Sequence, residues 1–162
     1  MNLIAAVDKN WAIGKDNDLL YNIKEDMQFF RSTTLNKVVV MGRKTLESFP
    51  NAKPLKNRVN IVLSNDKSLK IEGATVVNSL DMLFDELKKY DTNDVFVIGG
   101  GAIYKMLEPY CDVAYITEIN AERDADIFFP NLSKIDKWKL CESSEKKEDN
   151  GIEFVFNKYV RK

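Results

Sequence analysis

Val95-Phe96-Val97-Ile98-Gly99-Gly100-Gly101-Ala102-Ile103-Tyr104-Lys105-Met106-Leu107 carries a buried strand through three consecutive glycines into a helix. A turn without side chains lets an anionic group approach the backbone, while the first free N–H groups of the helix and its positive dipole end point at the charge. The stretch reads either as a phosphate cradle or as a tight turn that binds nothing. Three glycines in a row cost backbone entropy on folding, which weighs toward the cradle. A second junction repeats the pattern: Val38-Val39-Val40-Met41 runs into Gly42-Arg43-Lys44-Thr45. Two such junctions suggest one diphosphate held between two helix N-termini. Arg43 and Lys44 bring more positive charge than a bare pyrophosphate needs, and with Ser64 and Asn65 at another strand end they suit a ribose 2′-phosphate. The G-x-G-x-x-G fingerprint with its downstream acid is absent, so this is not a Rossmann site in the usual sense.

Outward from these junctions, apolar runs of strand length alternate with helical periodicities, the pattern of a mainly parallel sheet with helices on its faces. Strands are predicted near 2–8, 37–41, 58–63, 73–77, 94–98 and 112–119. Helices fall at 24–33 with Asn22 as cap, briefly after Gly42, at 80–90 behind Ser79 with Leu80, Leu83, Phe84 and Leu87 as an apolar stripe, and after Gly101. The last must stop at Glu108, because Pro109 cannot continue it. Segments 138–144 and 152–160 flank a charged turn closing in Asn150-Gly151 and read as an antiparallel pair, with 146–149 as a solvated loop. The fold class is α/β: a single domain over residues 1–162 with a central mixed, mostly parallel sheet of about eight strands, an antiparallel C-terminal pair and about four flanking helices. A chain of 162 residues, 44% hydrophobic, can bury such a core.

The chain has no histidine, which removes Ser-His-Asp hydrolysis, Cys-His nucleophiles and histidine-rich metal sites; no metal site is expected. Acid or base work near neutral pH falls to a carboxyl, lysine, tyrosine, thiol or water. The net charge is −1 with no basic surface interleaved with aromatics, so no nucleic-acid partner is expected. The early apolar run 3–7 is too short and lacks the basic flank of a signal or membrane segment, so a cytoplasmic location fits. Cys111 and Cys141 read as reduced packing thiols. Asp26 is the anomaly. It stands three residues after Ile23 and four before Phe30, on the apolar stripe of its helix, where burial should raise its pKa; the plainer reading is an acid complementing the helix dipole, as Glu25 does.

These residues together resemble the bacterial dihydrofolate reductases over nearly the whole chain. Leu3-Ile4-Ala5-Ala6-Val7 resembles the first strand of that family, Trp11-Ala12-Ile13-Gly14 with Asn17 its mobile substrate loop, and Glu25-Asp26-Met27 with Phe29-Phe30 its catalytic helix. Val40 to Thr45 with Glu47-Ser48-Phe49, Pro54-Leu55, Arg58, the 97–104 glycine segment, Thr117, and Asp126 with Phe129-Pro130 follow in order. The resemblance implies reduction of dihydrofolate to tetrahydrofolate by hydride transfer from NADPH, in support of one-carbon metabolism. It implies Asp26 as the catalytic acid, gripping the pyrimidine edge of the pterin and assisting protonation by orienting and polarising the ring or a bound water. Substrate would meet Ile4, Ala5, Ala6, Met27, Phe30, Phe49, Leu55, Ile98, Tyr104 and Thr117, with Arg58 on the glutamate α-carboxylate. NADPH would meet Ala6, Ile13, Gly14, Asn17, Leu19, Gly42, Arg43, Lys44, Thr45, Leu63, Ser64, Asn65, Ile98, Gly99, Gly100, Gly101, Ala102, Ile103 and Tyr104. A cis peptide at Gly99-Gly100, antifolate binding at the same pocket and a monomeric state are also implied.

Departures cluster before the catalytic helix. Leu20 and Tyr21 stand where most bacterial members have proline and tryptophan, Lys24 where a second proline often opens the helix, and Ala125 replaces a common glycine beside Asp126. A loop without those prolines is less restricted. Two other readings use the same glycine turns: a riboflavin-pathway reductase domain of the same fold, which lacks the acid of the catalytic helix, and a non-catalytic nucleotide-binding module.

Overall fold

A computed structural model describes residues 1–16 and 18–162. Its elements in chain order are β1 (Asn2–Val7), β2 (Ala12–Lys15), β3 (Asp18–Leu19), α1 (Lys24–Thr34), β4 (Val38–Gly42), α2 (Arg43–Glu47), β5 (Val59–Leu63), β6 (Ala74–Val77), α3 (Leu80–Leu87), β7 (Val95–Gly99), α4 (Gly101–Leu107), β8 (Val113–Ile119), β9 (Ile127–Phe128), β10 (Trp138–Ser143), β11 (Lys147–Asp149) and β12 (Ile152–Arg161). The main sheet runs β10-β12-β8-β1-β7-β4-β5-β6, parallel from β8 to β6 and antiparallel where β12 meets β8 and β10. The predicted mixed sheet and C-terminal pair are therefore present, with four α-helices beside them among the described residues.

Central strands covered on both faces need continuous apolar runs, and β4 is buried at every position. Its alternate side chains divide the core. Val38 and Val40 join Leu3, Val97, Leu83 and Leu107 on the face of α3 and α4, whereas Val39 and Met41 join Val62 and Leu46 on the face of α2. Phe29 of α1 stacks on Phe156 at 4.8 Å between ring centroids and seats that helix over β8 and β12. Ser79 caps α3 as predicted, its hydroxyl accepting from the Met82 N–H at 3.1 Å. After Leu107 the chain tightens into a short 3₁₀ turn containing Pro109. The Gly99-Gly100 peptide is cis.

Three expectations need correction, and one feature is additional. Asn22 does not cap α1: the capping position is Ile23, extended and without a side-chain hydrogen bond. The 146–149 segment is not a solvated loop throughout, because Lys147–Asp149 pairs with Ile152–Phe154 across Asn150-Gly151 as a continuation of the interrupted β10 edge. A second, three-stranded sheet of β3-β2-β9 was not anticipated, since segments of two to four residues carry too little period-two signal. Cys111 is buried, but Cys141 is exposed on β10 and is not a packing residue.

Candidate active site

Asp26 and Thr117 are 91 residues apart and meet because α1 lies over β8. The Thr117 hydroxyl donates to Asp26 Oδ1 at 2.6 Å, a charge-assisted bond that fixes the carboxylate and leaves its second oxygen available. Burial raises the pKa of Asp26 above its ordinary 3.8, and the Thr117 hydrogen bond opposes that rise without cancelling it. The predicted stripe is real: Ile23 is buried and Phe30 half-buried, while Met27 beside the acid is 55% exposed. Ile4 and Ala6 alternate with Ala5 along β1, and Ala5 packs against the α3 and α4 side of the core, so its side chain is turned away from Ala6. Ile98, Phe49 and Leu55 pack on one apolar cluster around Met41 and Leu46. Tyr104 is buried, its hydroxyl donating to the Ile4 carbonyl at 2.7 Å, and burial pushes its phenol pKa up.

Adjacent strands β4 and β7 deliver the two glycine junctions side by side. Neither α2 nor α4 has a side-chain cap; Gly42 and Gly100 occupy the capping positions, so the first N–H groups of both helices keep their donors for a ligand. A Cβ on Gly42 would lie 3.0 Å from Ile103 Cγ1, and one on Gly99 or Gly100 would lie 3.5 Å from Thr45 Oγ1, so the two helix ends adjoin. This donor set fits the diphosphate of a dinucleotide. Gly101 has a further reason to be glycine: a Cβ there would approach Ile127 Cγ2 at 2.6 Å. Gly101→Ala therefore forces β9 outward, with an expected stability loss of about 1 to 3 kcal/mol in urea unfolding, and adding Ile127→Ala recovers most of it.

Arg43 lies beside that cradle, its Nε 3.1 Å from Glu47 Oε1 in an exposed i,i+4 pair. Such a pair contributes little and yields readily to a stronger anion. Ser64 and the exposed Asn65 follow β5; the Ser64 hydroxyl accepts from the Asp66 N–H at 3.2 Å. Leu63 is buried in the core, and Ile13 packs against it in part. Ala102 and Lys44 are exposed, and Leu19 is 72% exposed. Gly14 pairs with Leu19 and Ile127, joining the loop strands to β9. Asn17 lies outside the described residues.

Arg58 is set between α1 and β5. Its Nε donates to Thr34 Oγ1 at 2.9 Å, one Nη to the Lys56 carbonyl at 2.9 Å and the other toward the Arg31 carbonyl at 3.4 Å. Burial, with Arg31 adding to it, pulls its pKa below the ordinary arginine value. A planar guanidinium held this way beside a second arginine is preorganised for a carboxylate.

A family model described as dihydrofolate reductase matches residues 1–161. The chain belongs to the dihydrofolate reductase family. The dihydrofolate reductase of Bacillus subtilis (strain 168) is 38% identical over 164 residues, covering 100% of this chain and 95% of that one. That of Staphylococcus haemolyticus is 35% identical over 163 residues, covering 99% and 95%. A dihydrofolate reductase from Enterococcus faecalis complexed with NADP(H) and RAB-propyl matches this fold with a TM-score of 0.88 at 31% identity, over 99% of this chain and 95% of that one.

Against the prolines usual in this family, the loop before α1 is restrained by Arg123. The guanidinium sits 4.3 Å from the centroid of the Tyr21 ring and donates to the Leu20 carbonyl at 2.5 Å, while the Arg123 N–H approaches Asp8 Oδ2 at 3.4 Å. Lys15 pairs with Asp124, and the Asp16 N–H donates to Asp126 Oδ2 at 3.1 Å. The extra freedom expected from Leu20 is thus met by a cation and its neighbours on the facing 120–126 loop. Sequence reasoning missed Arg123, Thr34 behind Arg58, and Phe128, which is 53% exposed beside Gly101. The signal available in the sequence was a second aromatic, Phe128, between Asp126 and Phe129-Pro130. A separate cleft lined by Asp8, Trp11, Glu118 and Phe154, among others, holds none of the predicted site residues.

Proposed function

We propose that this chain reduces dihydrofolate to tetrahydrofolate with NADPH. The observation that carries the reading is the half-buried Asp26 carboxylate, fixed by Thr117, on the face of the sheet that also presents Ile98 and Ala6. When bound, NADPH supplies the hydride. The uncapped N-termini at Gly42 and Gly100 hold its diphosphate, Thr45 lies between them, and Arg43 with Lys44, Ser64 and Asn65 takes the 2′-phosphate. Asp26 offers its second oxygen to the pyrimidine edge of the pterin; burial raises its pKa, the direction an acid needs, and positioning and electrostatics supply the rest of the catalysis. Met27, Phe30, Phe49 and Leu55 provide the apolar walls. Diaminopyrimidine antifolates present the same edge to Asp26. Residues 1–162 act as one domain, monomeric and cytoplasmic as in the family resemblance. Among the described residues, no helix is long and apolar enough to cross a membrane.

Loss of reduced-nicotinamide absorbance on mixing the protein with NADPH and dihydrofolate tests the reading, with a ribosyl-pyrimidine of the riboflavin pathway as the competing substrate. Turnover of dihydrofolate alone supports it; turnover of the pyrimidine alone, or of neither, contradicts it. Nothing in the site favours the pyrimidine, because Asp26 and Arg58 have no work there.

Arg58 gives a sharper expectation. Arg58→Ala weakens dihydrofolate by about one to two powers of ten, at about 1.4 kcal/mol each, and leaves a dihydropterin without the glutamate tail nearly unaffected. Comparing KM for the two substrates checks this, and equal losses would indicate damage to the Thr34 and Arg31 contacts rather than a lost carboxylate site.

A further inference from the structure

The first turn of α1 carries Asp26 yet has no cap of its own. Ile23 at the capping position has no oxygen to offer, and the first N–H groups of any helix lack intrahelical partners. The Lys24 N–H instead donates to Asp149 Oδ2 at 3.0 Å, 125 residues away. A proline at position 24 would have had no N–H to satisfy, so the lysine found here creates a donor and Asp149 answers it. Asp149 is itself firmly placed. It closes the β11–β12 hairpin opposite Ile152, and the two turn residues, Asn150 at φ 50° and Gly151 at φ 80°, both have the positive φ of a tight two-residue connection. The same β12 pairs with β8, setting Phe156 opposite Thr117. One strand therefore supports both the partner of the Asp26 carboxylate and the group that binds the start of its helix. The Phe29 and Phe156 stack holds α1 one turn further on, and Ile23 is buried with Ile119 and Phe154 just before the first turn, so the Asp149 bond adds direction to an apolar anchor. Lys147 on the same hairpin bridges Glu25 and Glu145 at 3.1 Å each, but such exposed pairs hold geometry weakly.

We propose that Asp149 is a positioning residue for the reaction: its carboxylate caps α1 from the C-terminal hairpin and sets where Asp26 stands against Thr117 and the substrate. This rests on the reading of Asp26 as the acid in dihydrofolate reduction. The carboxylate also places a negative charge at the positive end of the helix, where it is stabilising.

The test compares wild type with Asp149→Ala, Asp149→Asn and the double variant Asp149→Ala with Lys24→Pro. Proline is sterically acceptable at 24, since Ile23 is extended at φ −99° and ψ 118°. Three quantities are measured: amide exchange without ligands at Met27, whose N–H closes the first turn of α1 on the Ile23 carbonyl at 3.0 Å, the single-turnover hydride-transfer rate, and the NADPH dissociation constant. Asp149→Ala is expected to speed exchange about fivefold and slow hydride transfer by a similar factor, as for loss of a helix cap, with NADPH affinity within about twofold of wild type. Asp149→Asn keeps an acceptor and most of the rate, and Lys24→Pro restores the rate to the alanine variant by removing the orphaned donor. General loosening of the fold would weaken NADPH as well and would not be cured by proline; that result overturns the proposal. So does wild-type exchange and rate in Asp149→Ala. If wild type shows no turnover of dihydrofolate, the functional reading fails and the catalytic part of the proposal with it, whereas unchanged exchange beside normal wild-type turnover removes the cap alone.

Discussion

Asp26→Asn is expected to slow hydride transfer at neutral pH by roughly 100- to 10,000-fold, the usual worth of a positioned acid or base. The amide keeps the size and can still accept from Thr117 Oγ1, so what is lost is the ionisable group rather than the packing. Activity returns partly at lower pH, where free substrate is more readily protonated. A single-turnover pH profile reads both effects; a near-normal rate and profile would remove Asp26 from the chemistry. Stability should move the other way. Burial is the main cause of the raised Asp26 pKa, so between the unfolded value of about 3.8 and the higher folded value the native state binds more protons than the unfolded one, and stability falls as pH rises through that window. Above the folded pKa the wild type carries this penalty in full. Asp26→Asn should therefore melt at a higher temperature than wild type above the folded pKa, and the advantage should shrink as the pH falls through that pKa and be gone below about 3.8. A carboxylate kept at a cost to stability is what a functional acid predicts.

The second large effect concerns the choice of dinucleotide. Arg43→Ala with Lys44→Ala is expected to weaken NADPH roughly 100-fold or more, since charge-assisted hydrogen bonds contribute about 1.5 to 3 kcal/mol each, while NADH is nearly untouched. The Glu47 partner of Arg43 does not alter this order, because an exposed i,i+4 pair is worth only about 0.3 to 0.5 kcal/mol. Both dissociation constants, measured by quenching of protein fluorescence, decide it. Equal losses for the two cofactors would mean that these side chains do not read the 2′-phosphate.

Local chemistry made some of this legible in the sequence. The glycine junctions after β4 and β7 were readable because a strand, a glycine and a helix start are contiguous, and Asp26 stood out because a charged residue on an apolar stripe breaks a short-range period. Ser79 was a recognisable cap for the same reason. What escaped was non-local or too short. Asp149 meets Lys24 from 125 residues along the chain, and no pattern near either residue announces the other. Asn22 satisfied the local rule for a cap, but the buried Ile23 took the position and a distant carboxylate did the work. Arg123 belongs to a loop whose charges look like ordinary solvated surface until Tyr21 is placed beneath it. The small β3-β2-β9 sheet depends on pairing rather than on any run of residues, and Ile127 acquires meaning only once Gly101 is seen to have no room for a Cβ.

If this site moves hydride from NADPH onto dihydrofolate, the transferred atom can be followed. The most direct test uses NADPH deuterated at the transferable position of the nicotinamide, mixed with dihydrofolate and the wild-type protein, with the folate product recovered for mass spectrometry and NMR. The expected product is tetrahydrofolate carrying one deuterium at the C6 carbon, formed in proportion to the NADPH consumed and formed far more slowly by Asp26→Asn. NADPH consumed without deuterium in the folate, or dihydrofolate left unchanged at saturating concentrations of both, would contradict that transfer.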